Sequence, residues 1–217
     1  MNNKQLYLHV KKIEEEAFSD EIDSSCDQIK SSGGGYTYYA PSWYFYKIPF
    51  LSEKEINLLK RPGKNMLSVG AGPAHLERLL VSHFGVPREN IVLADRVSEQ
   101  LPVGFRTYIF DMHQIWPKMN EAPFNYIIFP ESYLPDIEPK ENTDYDELIR
   151  IRGQNLANVL RHAIPYLKTP GHIRLKPAFK EEVDAMKDSL EKEFSGVKIA
   201  YRESGTLLLS KSRSLIK

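Results

Sequence analysis

A single cysteine, Cys26, is all the sequence holds, so no intramolecular disulfide can form and no cysteine-rich metal site is available. Neither sign of charge is in excess: 29 Lys and Arg stand against 29 Asp and Glu. Such a balance supplies no overall attraction to a phosphate backbone or an anionic membrane, and it favours a protein that works on something small. No apolar run approaches the roughly 18–20 residues of a membrane span. The start, Met1-Asn2-Asn3-Lys4, lacks the apolar core of a signal peptide, so a cytoplasmic location is expected. The histidines (His9, His75, His83, His113, His162 and His172) are scattered, none at ligand spacing from a second strong ligand, so no metal is expected. Internal repeats are missing too. What is present is ordinary globular composition, 41% hydrophobic over 217 residues, enough for one domain with a sizeable core.

The chain changes character at about residue 60. Before it, residues 4–30 read as a helix, with Leu6, Val10, Ile13, Ala17 and Phe18 at spacings of three and four. Ser31-Ser32-Gly33-Gly34-Gly35 reads as a flexible joint, followed by an aromatic strip from Tyr36 to Phe50. Ser52 with Glu55 three residues on is a capping-box signature for a helix over 52–60, ended by Arg61-Pro62-Gly63. After it, strands expected at 66–69, 91–94, 105–110, 124–129 and 171–175 alternate with helices expected at 75–84, from Thr143 to about Lys168, and at 178–194. Two further strands, 197–201 and 206–210, are joined by Glu203-Ser204-Gly205. A connection that short cannot make a parallel crossover, so these two must be antiparallel neighbours. The expected fold class is α/β: a seven-stranded, mostly parallel, doubly wound sheet with a C-terminal antiparallel hairpin and an N-terminal helical and aromatic cap. Residues 1–60 are read as a cap or lid belonging to the same domain as the Rossmann-like unit at 61–217.

The feature that carries chemistry is Leu67-Ser68-Val69-Gly70-Ala71-Gly72-Pro73-Ala74-His75, a strand running through a glycine turn into a helix. Such a turn presents backbone N–H groups and a helix N-terminus to a ligand with no Cβ in the way. A dinucleotide site wants Gly-x-Gly-x-x-Gly, and its third glycine falls on His75. Spaced as Gly-x-Gly-x-Gly, the third position is the small Ala74 instead.

At this point, and over residues 65–210, the chain resembles the Rossmann-like S-adenosylmethionine-dependent methyltransferases. The resemblance implies S-adenosylmethionine as cofactor, held at Ser68, Gly70, Ala71 and Gly72. Asp95, ending the second of these strands with Arg96 beside it, would hold the ribose hydroxyls, and Asp111-Met112 after the third would lie by the adenine. Phe124-Asn125-Tyr126 and Leu167-Lys168-Thr169-Pro170-Gly171 echo further family segments, and the closing hairpin matches its last two strands. One departure concerns the cofactor's methionine end. Family members usually carry Asp or Glu two residues before the first glycine, and this chain has Ser68.

Methyl transfer is an in-line displacement that needs alignment, exclusion of water and sometimes a base. Groups facing the acceptor should stand beyond the C-terminal strand ends. His113, Glu131 and Tyr133, with Ser132 between the last two, are the catalytic candidates there. Pro130-Glu131-Ser132-Tyr133 departs from the Asn/Asp-Pro-Pro-Tyr signature of enzymes that methylate amino groups of nucleic-acid bases or glutamine. A small-molecule acceptor is therefore expected, with neither nucleic acid nor membrane as partner. The aromatic strip reads either as a lid over the site or as packing of the N-terminal cap. Two other functions stay open: a non-catalytic relative that binds S-adenosylmethionine or S-adenosylhomocysteine, and an NAD(P)-dependent oxidoreductase in which Arg96 contacts a phosphate.

Overall fold

A computed structural model describes residues 3–17, 22–23, 28–30, 37–39, 45, 50–130, 144–176, 179–202 and 205–212. Helix α1 spans Asn3–Ala17, and short strands β1 (Ile22–Asp23), β2 (Gln28–Lys30) and β3 (Thr37–Tyr39) form a small antiparallel sheet. The helix expected over 4–30 is therefore shorter. Its apolar three-four period stops at Phe18, and the following segment is rich in Ser and Asp, which compete with helical backbone hydrogen bonds. The three-glycine joint, Trp43 and Tyr44 lie outside the described residues.

Helix α2 (Glu53–Leu59) carries the expected capping box in full. The Glu55 N–H donates to Ser52 Oγ at 3.3 Å, and the Ser52 N–H donates to Glu55 Oε2 at 2.9 Å. Removing that acceptor with Ser52→Ala is expected to cost about 1 kcal/mol, read as a lower urea midpoint. An unchanged midpoint would contradict it.

The main sheet follows in chain order as β4 (Met66–Val69), β5 (Ile91–Asp95), β6 (Arg106–Ile109), β7 (Phe124–Phe129), β8 (Leu167–Leu175), β9 (Val197–Arg202) and β10 (Thr206–Lys211). Helix α3 (His75–Ser82) links β4 to β5, α4 (Tyr145–Ala163) precedes β8, and α5 (Lys180–Glu193) precedes β9. The spatial order is β6-β5-β4-β7-β8-β10-β9. Pairs from β6 across to β8 are parallel, while β10 is antiparallel to both β8 and β9. The continuously apolar β7 is buried at every position and lies in the middle of the seven, as its composition demands.

The pleat sorts side chains to two cores. Leu67, Val69, Ile127 and Phe129 join α4 and α5 on one face. Met66, Leu93, Tyr126 and Ile128 join α1, α2 and α3 on the other. Helix α4 ends at Ala163 rather than near Lys168, because Pro165 opens a 3-10 turn and Leu167 already begins β8. Thr143, expected to open that helix, lies outside the described residues.

The N-terminal ends of the central strands are tied by polar groups. Asn65 and Asn125 exchange backbone N–H to side-chain oxygen bonds at 3.2 Å, and Lys168 Nζ donates to both side-chain oxygens at 3.1 Å. The opposite, C-terminal edge is left to the loops.

Candidate active site

Strand β4 delivers the chain into a turn that only small residues tolerate. Gly70 has φ +68°, Gly72 +50° and Ala74 +55°, all left-handed. Ala74 is the N-cap of α3 and makes no side-chain cap, so the turn is shaped by backbone. The N–H groups of Gly70 and Ala71 donate to the Ala94 carbonyl at 2.8 and 3.2 Å, binding the turn to the end of β5. A Cβ on Gly70 would stand 3.2 Å from Met112 Cε, so the thioether lies against this glycine. Gly70→Ala therefore meets both a left-handed φ and a tight neighbour. We expect a loss of about 1–2 kcal/mol in denaturant unfolding, and a loss under 0.5 kcal/mol would refute this reading.

Asp95 is clamped to the same turn. Its Oδ2 accepts the Gly72 N–H at 2.9 Å, and its Oδ1 accepts the Val97 N–H at 3.0 Å. An ionised carboxylate has about four lone-pair positions, so each oxygen keeps one for a ligand hydroxyl. Arg96, the next residue, is exposed. At the end of β6, Asp111 Oδ1 accepts the His113 N–H at 2.9 Å, fixing an Asx turn that holds Met112 and His113 half-buried beside the glycine turn's side of the sheet. Trp116 Nε1 donates to the Met112 carbonyl at 3.1 Å, and its ring packs between Phe110, Phe129 and Tyr166.

Ser68 is fully buried and turned toward α3, where its Oγ donates to Glu77 Oε1 at 2.5 Å. Glu77 is 1% exposed, and burial raises its carboxyl from the ordinary 4.5 to about 7, with the Ser68 hydrogen bond opposing that rise. His75, the first residue of α3, is pushed down to about 4 by burial and by Arg78, so it is neutral at pH 7. Sequence reasoning missed Glu77. The available signal was Ser68 itself, a polar residue inside a buried apolar strand, which requires a partner.

A second missed residue is Lys176, immediately after β8. Its backbone N–H donates to the Phe129 carbonyl at 3.3 Å, which sets it beside the end of β7. It is 3% exposed, and burial lowers its ammonium to about 8. Glu131, Ser132 and Tyr133 lie outside the described residues. Among the described residues, no group of three or more His, Cys, Asp or Glu could hold a metal ion, and no helix is long and apolar enough to cross a membrane.

No protein-family model and no curated protein sequence matches the chain. Solved structures do. A methyltransferase from Pyrococcus furiosus superposes over 98% of this chain and 100% of its own, with a TM-score of 0.50 at 14% identity. A protein described as a ribosomal RNA methyltransferase from Plasmodium falciparum covers 75% of this chain and 92% of its own, with a TM-score of 0.52 at 13% identity. The chain has the Rossmann-like methyltransferase fold. In this fold the turn at Gly70–Ala74 follows β4, and Asp95 and Asp111 close the next two strands outward, so these residues share the C-terminal edge of the sheet. Dinucleotide-binding sheets end differently, in a parallel sixth strand. Here the antiparallel β10 is inserted between β8 and β9.

Proposed function

We propose that the chain is an S-adenosylmethionine-dependent methyltransferase acting on a small molecule. The observation that carries this reading is the Asp95 carboxylate, locked to the Gly72 N–H at the tip of β5 and to the Val97 N–H, with lone-pair capacity left on each oxygen for a ligand hydroxyl. The residues fit the cofactor. Gly70 leaves room that a Cβ would take, Met112 supplies an apolar surface beside it, and Asp95 suits a pair of ribose hydroxyls. Ser68 is bonded to the buried Glu77 of α3, so the chain keeps a carboxyl against this strand position, although it comes from the helix and not from the strand. Arg96 is exposed beside Asp95, and Asp111 supports the loop that carries Met112.

When bound, the cofactor supplies a methyl group on a positively charged sulfur. The chain's own share is to hold the acceptor in line with that group, to exclude water and to take up the acceptor's proton. His113, beside Asp111, is the described candidate for the proton, joined by Lys176 only as the free amine above about pH 8; Glu131 and Tyr133 follow β7 in sequence and complete the set. A neutral overall charge and the absence of the Asn/Asp-Pro-Pro-Tyr segment support a small acceptor over a nucleic acid.

Incubation of the full chain with methyl-labelled cofactor tests this. Amine- and hydroxyl-bearing small molecules, and separately ribosomal RNA, would serve as acceptors. Label is expected in the small-molecule fraction. Label in RNA alone would overturn the acceptor class, and binding without any transfer would overturn the catalytic reading.

A further inference from the structure

The sheet face under α2 carries a second feature, away from the glycine turn. Pairing register aligns Tyr126, His172, Ser210 and Lys198 across four strands in one row, and Ile128, Arg174, Leu208 and Ala200 in the next. Directly paired residues project to the same side, and Arg202, two residues beyond Ala200, projects there too. Lys198, Ala200 and Arg202 are exposed, so this part of the face is open to solvent. Helix α2 borders it and contributes Lys54, and Arg61 follows just past the end of that helix.

Together these elements enclose a groove of about 910 Å³. Four cationic side chains line it (Lys54, Arg61, Arg174 and Arg202) against two carboxylates, Glu53 and Glu55. Glu55 is already engaged by Arg174 and by the Ser52 cap. No ion pair among the described residues engages Lys54, Arg61 or Arg202. Arg174 Nε is buried without a hydrogen-bond partner, so Glu55 does not exhaust that guanidinium. The floor is ordered by Tyr126, whose ring stacks on His172 at 5.8 Å.

We infer that this groove binds a small phosphorylated molecule, with Arg61, Arg202 and Lys54 holding the phosphate oxygens. Guanidinium forks match phosphate geometry, and a groove with low-dielectric walls concentrates the field of cations that singly would be worth little. The volume lies in the range of small-molecule sites, and the zero net charge of the chain argues for a compact anion and against a polyanion that follows an extended basic track. The inference does not depend on the identity of the methyl donor, because none of these residues belongs to the glycine turn.

Calorimetric titration of the full chain with inorganic pyrophosphate at low ionic strength tests it. Arg61→Gln and Arg202→Gln combined should weaken pyrophosphate binding at least tenfold and leave S-adenosylhomocysteine affinity and thermal unfolding unchanged, since both side chains are exposed. Pyrophosphate binding that keeps its affinity in Asp95→Ala, where S-adenosylhomocysteine binding is weakened, would also support the groove. Absence of pyrophosphate binding, equal affinity in the double variant, or competition between pyrophosphate and S-adenosylhomocysteine would overturn it. So would tighter, arginine-dependent binding of citrate, which would replace phosphate by carboxylate, or of a single-stranded oligonucleotide.

Discussion

Asp95→Ala is expected to weaken S-adenosylhomocysteine binding ten- to a hundredfold and to cost the folded chain roughly 1.5–3 kcal/mol. Both effects have one origin. The carboxylate is an acceptor for the ligand and also the clamp that joins the glycine turn to the loop after β5, through the N–H groups of Gly72 and Val97. Asp95→Asn separates charge from shape. An amide has one oxygen, so its NH₂ must face one of two backbone N–H donors at about 3 Å, and the near-isosteric change should lose nearly as much as alanine. Calorimetric titration and urea unfolding of the three proteins give the two numbers. An asparagine variant within twofold of the parent in affinity would show that the clamp does not matter.

The second large effect is a pH dependence placed on α3. Glu77 has its folded-state value raised from 4.5 to about 7, so between these limits the folded chain binds the extra proton. Its contribution is fully present below about pH 4.5 and is lost as pH rises through 7. Between pH 5 and pH 8 that amounts to about 2–3 kcal/mol. His75 runs the other way. With its value lowered from 6.5 to about 4, it contributes stability above 6.5 that is lost as pH falls toward 4. The two nearly offset each other in the parent. Glu77→Gln keeps an oxygen for the Ser68 hydroxyl and removes the titration, which leaves the His75 dependence exposed. Urea unfolding from pH 5 to pH 8 should then show the variant gaining stability with pH, by about 2–3 kcal/mol more than the parent does. Parallel curves for the two proteins would mean that Glu77 is not a buried, proton-binding group.

Much of the fold was legible because the strands of a covered parallel sheet are short apolar runs that end abruptly. Met66–Val69 stops at Gly70, and the three-residue link before Thr206 forces the antiparallel closure. Boundaries failed where local chemistry changed inside an apparently continuous pattern. Apolar spacing carries the first helix past Ala17, and it carries α4 through Leu167 and Lys168 although Pro165 precedes them and their partners are Phe124 on β7 and Asn65 just before β4. The site divides in the same way. Asp95, Asp111 and the glycines are named by their place at strand ends, which sequence order reveals. Glu77 and Lys176 are not, because a carboxylate in a helix and a lysine after a strand both read as solvated. Only the layer packed above Ser68 and the close of β8 against Phe129 bury them.

The central claim, that the turn at Gly70–Ala74 and the Asp95 carboxylate form a methyl-donor pocket, is tested most directly by calorimetric titration of the full chain with S-adenosylhomocysteine and with NADP under the same conditions. One molecule of S-adenosylhomocysteine per chain, with affinity sensitive to Asp95, and no saturable binding of NADP, is the predicted result. Saturable binding of NADP with none of S-adenosylhomocysteine would contradict it.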